Sequence, residues 1–319
     1  MHRTAHLIFN PVSGQGNAEQ DLECLRANLS QSLNLTVYET TPDRDARTLA
    51  AQSVEQGVEL VIVSGGDGTI NAAAEALTES SIPMAIIPRG TANAIATALD
   101  IPNNLEDACE IALTGSMRTI DTARCNGYPM VLLAGIGLEA DVIDQVSRDA
   151  KDRLGALAYI LSSIQQLRGL NTFETTIETE DRVISVSASA ITIANIAPST
   201  SVLAQGPAKI IADDGLLDIT IVASEGIGST LAVSYELFRS AISNQAAQRD
   251  DVGYLRSSHV RITTDPPQKV VLDGEMLGTT PLDVVCVPKG LTLVVPQQPV
   301  SSKSEDLAGL PNLTIEPKL

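Results

Sequence analysis

The stretch Leu60-Val61-Ile62-Val63-Ser64-Gly65-Gly66-Asp67-Gly68-Thr69-Ile70-Asn71 decides the fold. Four consecutive apolar residues, three of them β-branched, read as a strand covered on both faces. Glycines then break the strand, and the Ala-rich run from Thr69 to Leu77 reads as a helix. A buried strand that turns through glycines straight into a helix is the unit of a parallel, doubly wound α/β sheet.

The loop carries chemistry as well as topology. Gly65, Gly66 and Gly68 let the backbone approach a ligand closely and reach positive φ, and amides at a helix start point toward bound phosphate. Asp67 repels phosphate by itself, but it makes sense beside Mg²⁺, which bridges carboxylate, water and phosphate oxygens. A tight turn capped by Asp67 or Thr69 accounts for one or two residues of Gly65 to Asn71, not for all seven.

Working outward, Leu7-Ile8-Phe9 predicts a strand and Asn10-Pro11-Val12-Ser13-Gly14-Gln15-Gly16 the loop after it. Ala18, Leu22, Leu25, Leu29 and Leu33 recur at helical spacing, and Val37-Tyr38 begins a second strand. Thr40-Thr41-Pro42-Asp43 starts another helix, with Ala46, Leu49, Ala50 and Val54 inward and Gly57 as its stop. Met84 to Ile87 repeats the buried strand, and Pro88-Arg89-Gly90-Thr91-Ala92-Asn93 leads into a further helix. Two strand ends thus deliver glycine-containing loops to one edge, where open α/β sheets take their ligands.

After about residue 122 the texture changes. Residues 173–195, 216–222 and 254–287 are rich in Thr, Val, Ile and Ser in short alternating runs, as in an antiparallel sandwich. Helices are expected near 152–168 and 228–242. The expected organisation is an α/β domain over 1–122, completed by 290–300, a mainly antiparallel β-sandwich over 123–289, and a loose polar tail over 301–319.

Composition narrows the function. Lys and Arg number 21 against 39 Asp and Glu in 319 residues, a net charge of −18, which disfavours nucleic acid and the anionic face of a bilayer. Contact with a membrane is then expected to be brief and local. The four cysteines are scattered without a C-x-x-C pair, as in a reducing compartment, and no stretch reads as a signal peptide or membrane span, so a cytoplasmic location is expected. The three histidines are isolated, and no G-x-x-x-x-G-K-[ST] loop occurs. Gly135-Ile136-Gly137-Leu138-Glu139-Ala140 matches the dinucleotide fingerprint but lacks the second strand ending in an acid, and reads as a turn entering a helix.

Together, Gly65 to Asn71, Pro88 to Asn93 and the leading Asn10-Pro11-Val12-Ser13-Gly14 resemble the diacylglycerol-kinase catalytic family, in particular soluble bacterial lipid kinases of the YegS-like type. Sphingosine and ceramide kinases share the module, and NAD kinases share the first motif. The resemblance runs from about Leu7 to Val295. It implies a nucleotide-binding α/β domain followed by a β-sandwich, with ATP in the cleft between them, and transfer of the γ-phosphoryl group to a lipid hydroxyl, diacylglycerol by default. Phosphatidylglycerol, sphingoid bases, ceramide and polyprenols stay open as acceptors, and so does a homodimer.

Carried over residue by residue, the resemblance puts ATP against Gly65, Gly66, Asp67, Gly68, Thr69, Ile70 and Asn71, with Gly90, Thr91 and Asn93 in the second loop and Thr40 reaching in from the loop after the second strand. Thr40 reads equally as a helix N-terminal residue. Many relatives carry an acid after the Asn of the second motif; here Ala94 stands there, so Asp67, Asp121 or water must do more for Mg²⁺. Asp121 aligns with a family carboxylate and reads equally as a solvated turn residue. In Ile211-Ala212-Asp213-Asp214-Gly215-Leu216, the resemblance implies a structural Mg²⁺ or Ca²⁺ site made by the Asp214 carboxylate and the carbonyls of Ile211 and Leu216, whereas the residues alone read as a turn.

The pair in Leu272-Asp273-Gly274-Glu275 is the remaining candidate. An alcohol is a poor nucleophile, and a carboxylate that accepts its proton is worth roughly 10² to 10⁴ in rate. By resemblance Glu275 is the first choice for that base and Asp273 the second, as base or as orienting partner. NAD kinase, and a nucleotide or lipid sensor that keeps the fold without turnover, are the competing functions.

Overall fold

The computed structural model describes residues 2–14, 16–137, 172–198, 210–223, 252–296 and 314–317. The helices expected near 152–168 and 228–242 lie outside the described residues. The chain divides into two units, Met1–Thr122 with Lys289–Val300, and Ala123–Pro288 with Ser301–Leu319.

In the first unit β1 (Arg3–Phe9), β2 (Leu33–Glu39), β3 (Leu60–Gly65) and β4 (Met84–Pro88) form a parallel sheet in the order β2-β1-β3-β4. Leu293 and Val294, at the end of β16 (Leu282–Val295), extend it in parallel beside β4. Every residue of β3 and β4 is buried, as the unbroken apolar runs require of strands covered on both faces. Each fully buried Leu, Ile or Val contributes on the order of 1.5–3 kcal/mol. The covering helices are α1 (Ala18–Leu29), α2 (Ala46–Glu55), α3 (Asp67–Leu77), the single turn α4 (Ala94–Ala98) and α5 (Leu105–Thr114).

Two local expectations shift. Leu33 falls in β2, not on the face of α1, which ends at Leu29 with Ser30 as its cap. The second helix starts at Ala46, because Asp45 caps it, its Oδ1 accepting from Thr48 N at 2.8 Å and Thr48 Oγ1 at 2.7 Å. Residues 40–44 form a tight loop closed by paired bonds between Thr41 and Arg44.

The second unit is a two-layer sandwich. One layer runs β17 (Thr314–Pro317), β9 (Arg182–Ala188), β8 (Phe173–Glu178), β13 (His259–Asp265), then the first half of β16; β6 (Tyr128–Met130) pairs with the end of β5 (Ser116–Cys125). The other runs β12 (Val252–Ser257), β11 (Leu217–Val222), β10 (Ala190–Ala194), β7 (Leu133–Gly137), β14 (Lys269–Leu272) and β15 (Glu275–Thr279), antiparallel throughout. One apolar core joins the layers, with Ile177, Ile184, Val260 and Ile262 from the first and Ile136, Ile193, Ile219 and Leu255 from the second. Thr314–Pro317 lies within the segment read as a tail and pairs with β9.

The turn expected at Gly135–Gly137 is instead the end of strand β7, hydrogen-bonded on both sides. Gly137 has φ +80°, and an added Cβ would sit 2.8 Å from Ser189 O, so close strand packing explains this glycine. Leu138 to Ala140 lie outside the described residues.

Candidate functional site

The loops after β1, β3 and β4 meet at the carboxyl edge of the first unit's sheet. β3 and β4 are in register with Gly65 opposite Pro88, so the segments that follow emerge side by side. They then touch: a Cβ on Gly90 would lie 2.7 Å from Gly66 Cα and 2.9 Å from Asn93 Oδ1. Gly65 is equally constrained, since a Cβ there would lie 2.7 Å from Thr69 Cβ. At Gly68 an added Cβ meets nothing within 4 Å, so that face of the loop is open.

Hydrogen bonds lock the three loops. Gly66 N donates to Ser13 Oγ at 3.2 Å, Asn10 Nδ2 donates to Thr69 Oγ1 at 2.8 Å, and Gly90 N donates to Asn93 Oδ1 at 2.7 Å. Asn93 holds φ +48°, a left-handed conformation that asparagine tolerates, and its Nδ2 donates to Asn103 Oδ1 at 3.0 Å. That closure leaves Thr91 and Ala92 exposed at the tip of the second loop.

Of the residues expected to contact ATP, Gly66 and Asp67 are half-buried and Gly68 is exposed at the start of α3, where helix amides carry partial positive charge. Thr69 and Ile70 face inward: Thr69 packs on Gly65, and Ile70 has no exposed surface. Both therefore support the loop, with their side chains turned away from solvent. Asn71 is half-buried, and its Oδ1 is enclosed without a hydrogen bond among the described residues. Thr40 is half-buried at the end of β2, its N–H donating to Phe9 O at 2.9 Å.

Burial pushes the Asp67 carboxyl above the usual range, partly offset by N–H groups of Ile95, Ala94 and Asn93. Ile95 N donates to Asp67 Oδ1 at 3.3 Å. A carboxylate held partly desolvated gains from a nearby cation. Among the described residues no three His, Cys, Asp or Glu side chains converge. The donors here thus fit a Mg²⁺ that arrives with its nucleotide and keeps phosphate and water ligands, and do not form an all-protein cage.

Asp121 is buried in β5 rather than solvated on a turn, and its Oδ1 accepts Lys289 N at 2.7 Å. Lys289 has φ +56°, and a Cβ on Gly290 would collide with the Thr122 side chain, so Asp121 fastens a tight crossing of β5 and β16.

In the second unit, Asp273 and Gly274 form the two-residue turn between β14 and β15, with φ +48° and +90°. Positive φ at both positions matches the right-handed twist of a hairpin, which explains Asp-Gly here. The Asp273 carboxylate accepts three backbone N–H groups, from Val131 at 2.8 Å and from Leu132 and Leu133 at 2.9 Å. Asp273 N donates in turn to Leu133 O at 2.9 Å. Glu275, opposite Leu272 in the hairpin, is exposed.

At the loop before β11, the Asp214 carboxylate accepts Leu216 N at 3.1 Å and is ion-paired with the Arg256 guanidinium. Tyr254 Oη donates to the buried Asp218 beside it. A carboxylate already neutralised by a guanidinium is a poor seat for the expected cation, so the residues present do not fit a metal held by Asp214, Ile211 and Leu216 in this arrangement.

Asn10, Ser13 and Asp21 support the loops in ways the sequence does not declare. The one local signal for the first two is a polar Asn-Pro-x-Ser-Gly loop directly after a buried strand. Among the described residues no helix is long and apolar enough to cross a membrane.

Comparison with known proteins agrees with this architecture. Residues 4–125 match the diacylglycerol kinase catalytic domain, and residues 133–295 match the YegS C-terminal NAD kinase beta sandwich-like domain. An uncharacterized protein of Synechocystis sp. is 43% identical over 305 residues, covering 92% of this chain and 70% of its own length. The diacylglycerol kinase of Bacillus subtilis is 26% identical over 302 residues, covering 93% of this chain and 97% of that one. A crystal structure from Bacillus anthracis, itself provisionally assigned as a diacylglycerol kinase, superposes with TM-score 0.77 at 26% identity, covering 92% and 97% of the two chains. A glycine-loop α/β unit followed by this sandwich, matched along nearly the whole chain, makes the protein a member of the diacylglycerol kinase catalytic-domain family of lipid kinases, in its YegS-like form.

Proposed function

We propose that the chain transfers the γ-phosphoryl group of ATP to a hydroxyl of diacylglycerol, giving phosphatidic acid. The observation that carries the nucleotide half is the contact of the two glycine loops, with a Cβ on Gly90 only 2.7 Å from Gly66 Cα. Backbone so close at the tips of two parallel strands leaves amides and the open face of Gly68 for a phosphate chain. Thr91, at the exposed tip, and Thr40 contact the nucleotide.

Phosphoryl transfer asks the protein mainly for alignment and charge stabilisation. Asp67 is the residue that would hold a Mg²⁺ brought in with the nucleotide, and such an ion would supply charge neutralisation for the transferring phosphoryl group. Glu275 accepts the proton of the lipid hydroxyl, leaving the oxygen free to attack the γ-phosphorus. Asp273, with its oxygens already taken by three amides, holds Val131–Leu133 in place and steadies the hairpin that carries Glu275. The lipid comes from a membrane through transient contact.

Labelled ATP, Mg²⁺ and a total lipid extract test this directly. Labelled phosphatidic acid is expected from wild type and none from Asp67→Ala or Glu275→Gln. Label in another lipid keeps the kinase and replaces its acceptor. Formation of NADP from ATP and NAD, with no labelled lipid, would make the chain a NAD kinase, and ATP binding without either product would make it a sensor.

A further inference from the structure

One buried charge stands outside the chemistry described so far. Arg89 follows β4 inside the second loop motif, and its side chain is 3% exposed. Nε and Nη2 donate to Asp21 Oδ2 at 3.0 and 2.7 Å, and Nη1 donates to Asn10 O at 2.8 Å. The guanidinium also lies over the Phe9 ring, 4.4 Å from its centroid. An apolar side chain would fill such a place without desolvating a cation. The guanidinium instead supplies directed bonds that an apolar group lacks.

Those bonds converge on the parts that hold the glycine loops. Asn10, whose carbonyl Arg89 fixes, donates from Nδ2 to Thr69 and accepts Val12 N at 3.1 Å through Oδ1. Ser13, three residues on, receives the N–H of Gly66. Gly14 has φ +93°, and a Cβ there would approach Arg89 O to 3.1 Å, so the loop after β1 folds directly onto the backbone of Arg89. Through α1, Asp21 anchors the same guanidinium from the other side.

We propose that Arg89 and Asp21 form a positioning pair that fixes the loops after β1, β3 and β4 in the relative placement the nucleotide phosphates need. This rests on the nucleotide-binding reading above. The pair acts through Asn10 and the loop backbones, without touching the nucleotide. A small misplacement of aligned groups is enough to cost up to about 100-fold in function.

The charges make the test discriminating. If Arg89 acted only through its field, Arg89→Met would weaken ATP binding and Asp21→Asn would strengthen it, since the second removes a negative charge near the site. A positioning pair predicts that both weaken it, because each breaks the same bonds. Titration calorimetry of the full chain with ATP and Mg²⁺, without lipid, is expected to show roughly tenfold weaker binding for Arg89→Met and for Asp21→Asn. The double variant should be no worse than the weaker single, as for groups acting as one unit. Arg89→Lys, which keeps the charge but not the fork of donors, should rescue only in part.

Melting curves show which variants are folded. Asp21→Asn keeps the guanidinium and an acceptor, and carries the test if Arg89→Met does not fold. Tighter binding by Asp21→Asn, or fully additive losses in the double variant, overturns the proposal. If folded variants bind ATP as wild type does, the positioning role alone fails; if wild type itself does not bind ATP, the nucleotide reading fails and takes this one with it.

Discussion

Asp273 and Glu275 are two residues apart in one hairpin, yet the structure predicts opposite responses to mutation. Asp273→Ala leaves three amides, those of Val131, Leu132 and Leu133, without the carboxylate that accepts them at 2.8–2.9 Å. A hydrogen bond to a charged group contributes about 1.5–3 kcal/mol net. Asp273 is half-buried, water can reach part of the vacated space, and the three bonds share one group, so the sum must be discounted heavily. Alanine also loses the tolerance of Asp for φ +48°, worth about 1 kcal/mol. The resulting destabilisation is about 3 kcal/mol, and for a unit of this size that lowers Tm by roughly 6–12 °C. Asp273→Asn keeps the turn and one oxygen but turns an NH₂ toward an amide donor, so roughly half that loss is expected. Glu275→Gln, on an exposed strand, should melt within about 1 °C of wild type while phosphoryl transfer falls roughly 10² to 10⁴-fold. Differential scanning calorimetry beside the lipid-labelling assay at a temperature where every variant is folded reads both quantities. Asp273→Ala melting within about 2 °C of wild type, or Glu275→Gln keeping full transfer, would refute this division of roles.

Two further outcomes follow from the first unit. Gly90→Ala would set its new Cβ 2.7 Å from Gly66 Cα, against the 3.4 Å of an ordinary approach, so it must push the loops apart and should lower both Tm and ATP affinity; Gly68→Ala, with no protein atom within 4 Å of the new methyl, should keep Tm and lower affinity only, as calorimetry with ATP can show. His6, bonded through Nδ1 to Ser53 Oγ at 2.9 Å, has its pKa lowered by burial, so the unfolded chain binds the extra proton first. Stability from this site is present above the unfolded pKa of about 6.5 and falls as pH drops through that value. The Tm of wild type relative to His6→Gln should therefore decline from pH 7.5 to pH 5.5, and an unchanged difference would remove His6 from the pH response.

Periodicity and glycine placement were enough to write down the fold class. Unbroken apolar runs such as Leu60–Val63 and Met84–Ile87, too short for helices and closed by Gly or Pro, read as strands covered on both faces, and Gly65-Gly66-Asp67-Gly68 reads as the break between strand and helix. Alternating Thr, Val and Ile runs after residue 122 carried the sandwich in the same way, because side-chain period is a local property of the backbone. Local capping already blurred the edges: Asp45, not Thr40, starts α2, since its side chain alone reaches the Thr48 amide.

Partnership across long sequence distances was invisible from the chain. Folding brings the amides of Val131 to Leu133 onto the Asp273 oxygens and Arg256 beside Asp214, and neither partner is legible from the residues around the two acids. Arg89 has no assigned role in the sequence motif, and only the tertiary structure brings Asp21 of α1 to its guanidinium. Sequence thus determined which groups are present and which local shapes they take. The tertiary structure decided which charges are already satisfied, because hydrogen bonds and ion pairs form between neighbours in space: the Asp273 carboxylate is bonded to three amides, while Glu275 two residues on stays exposed.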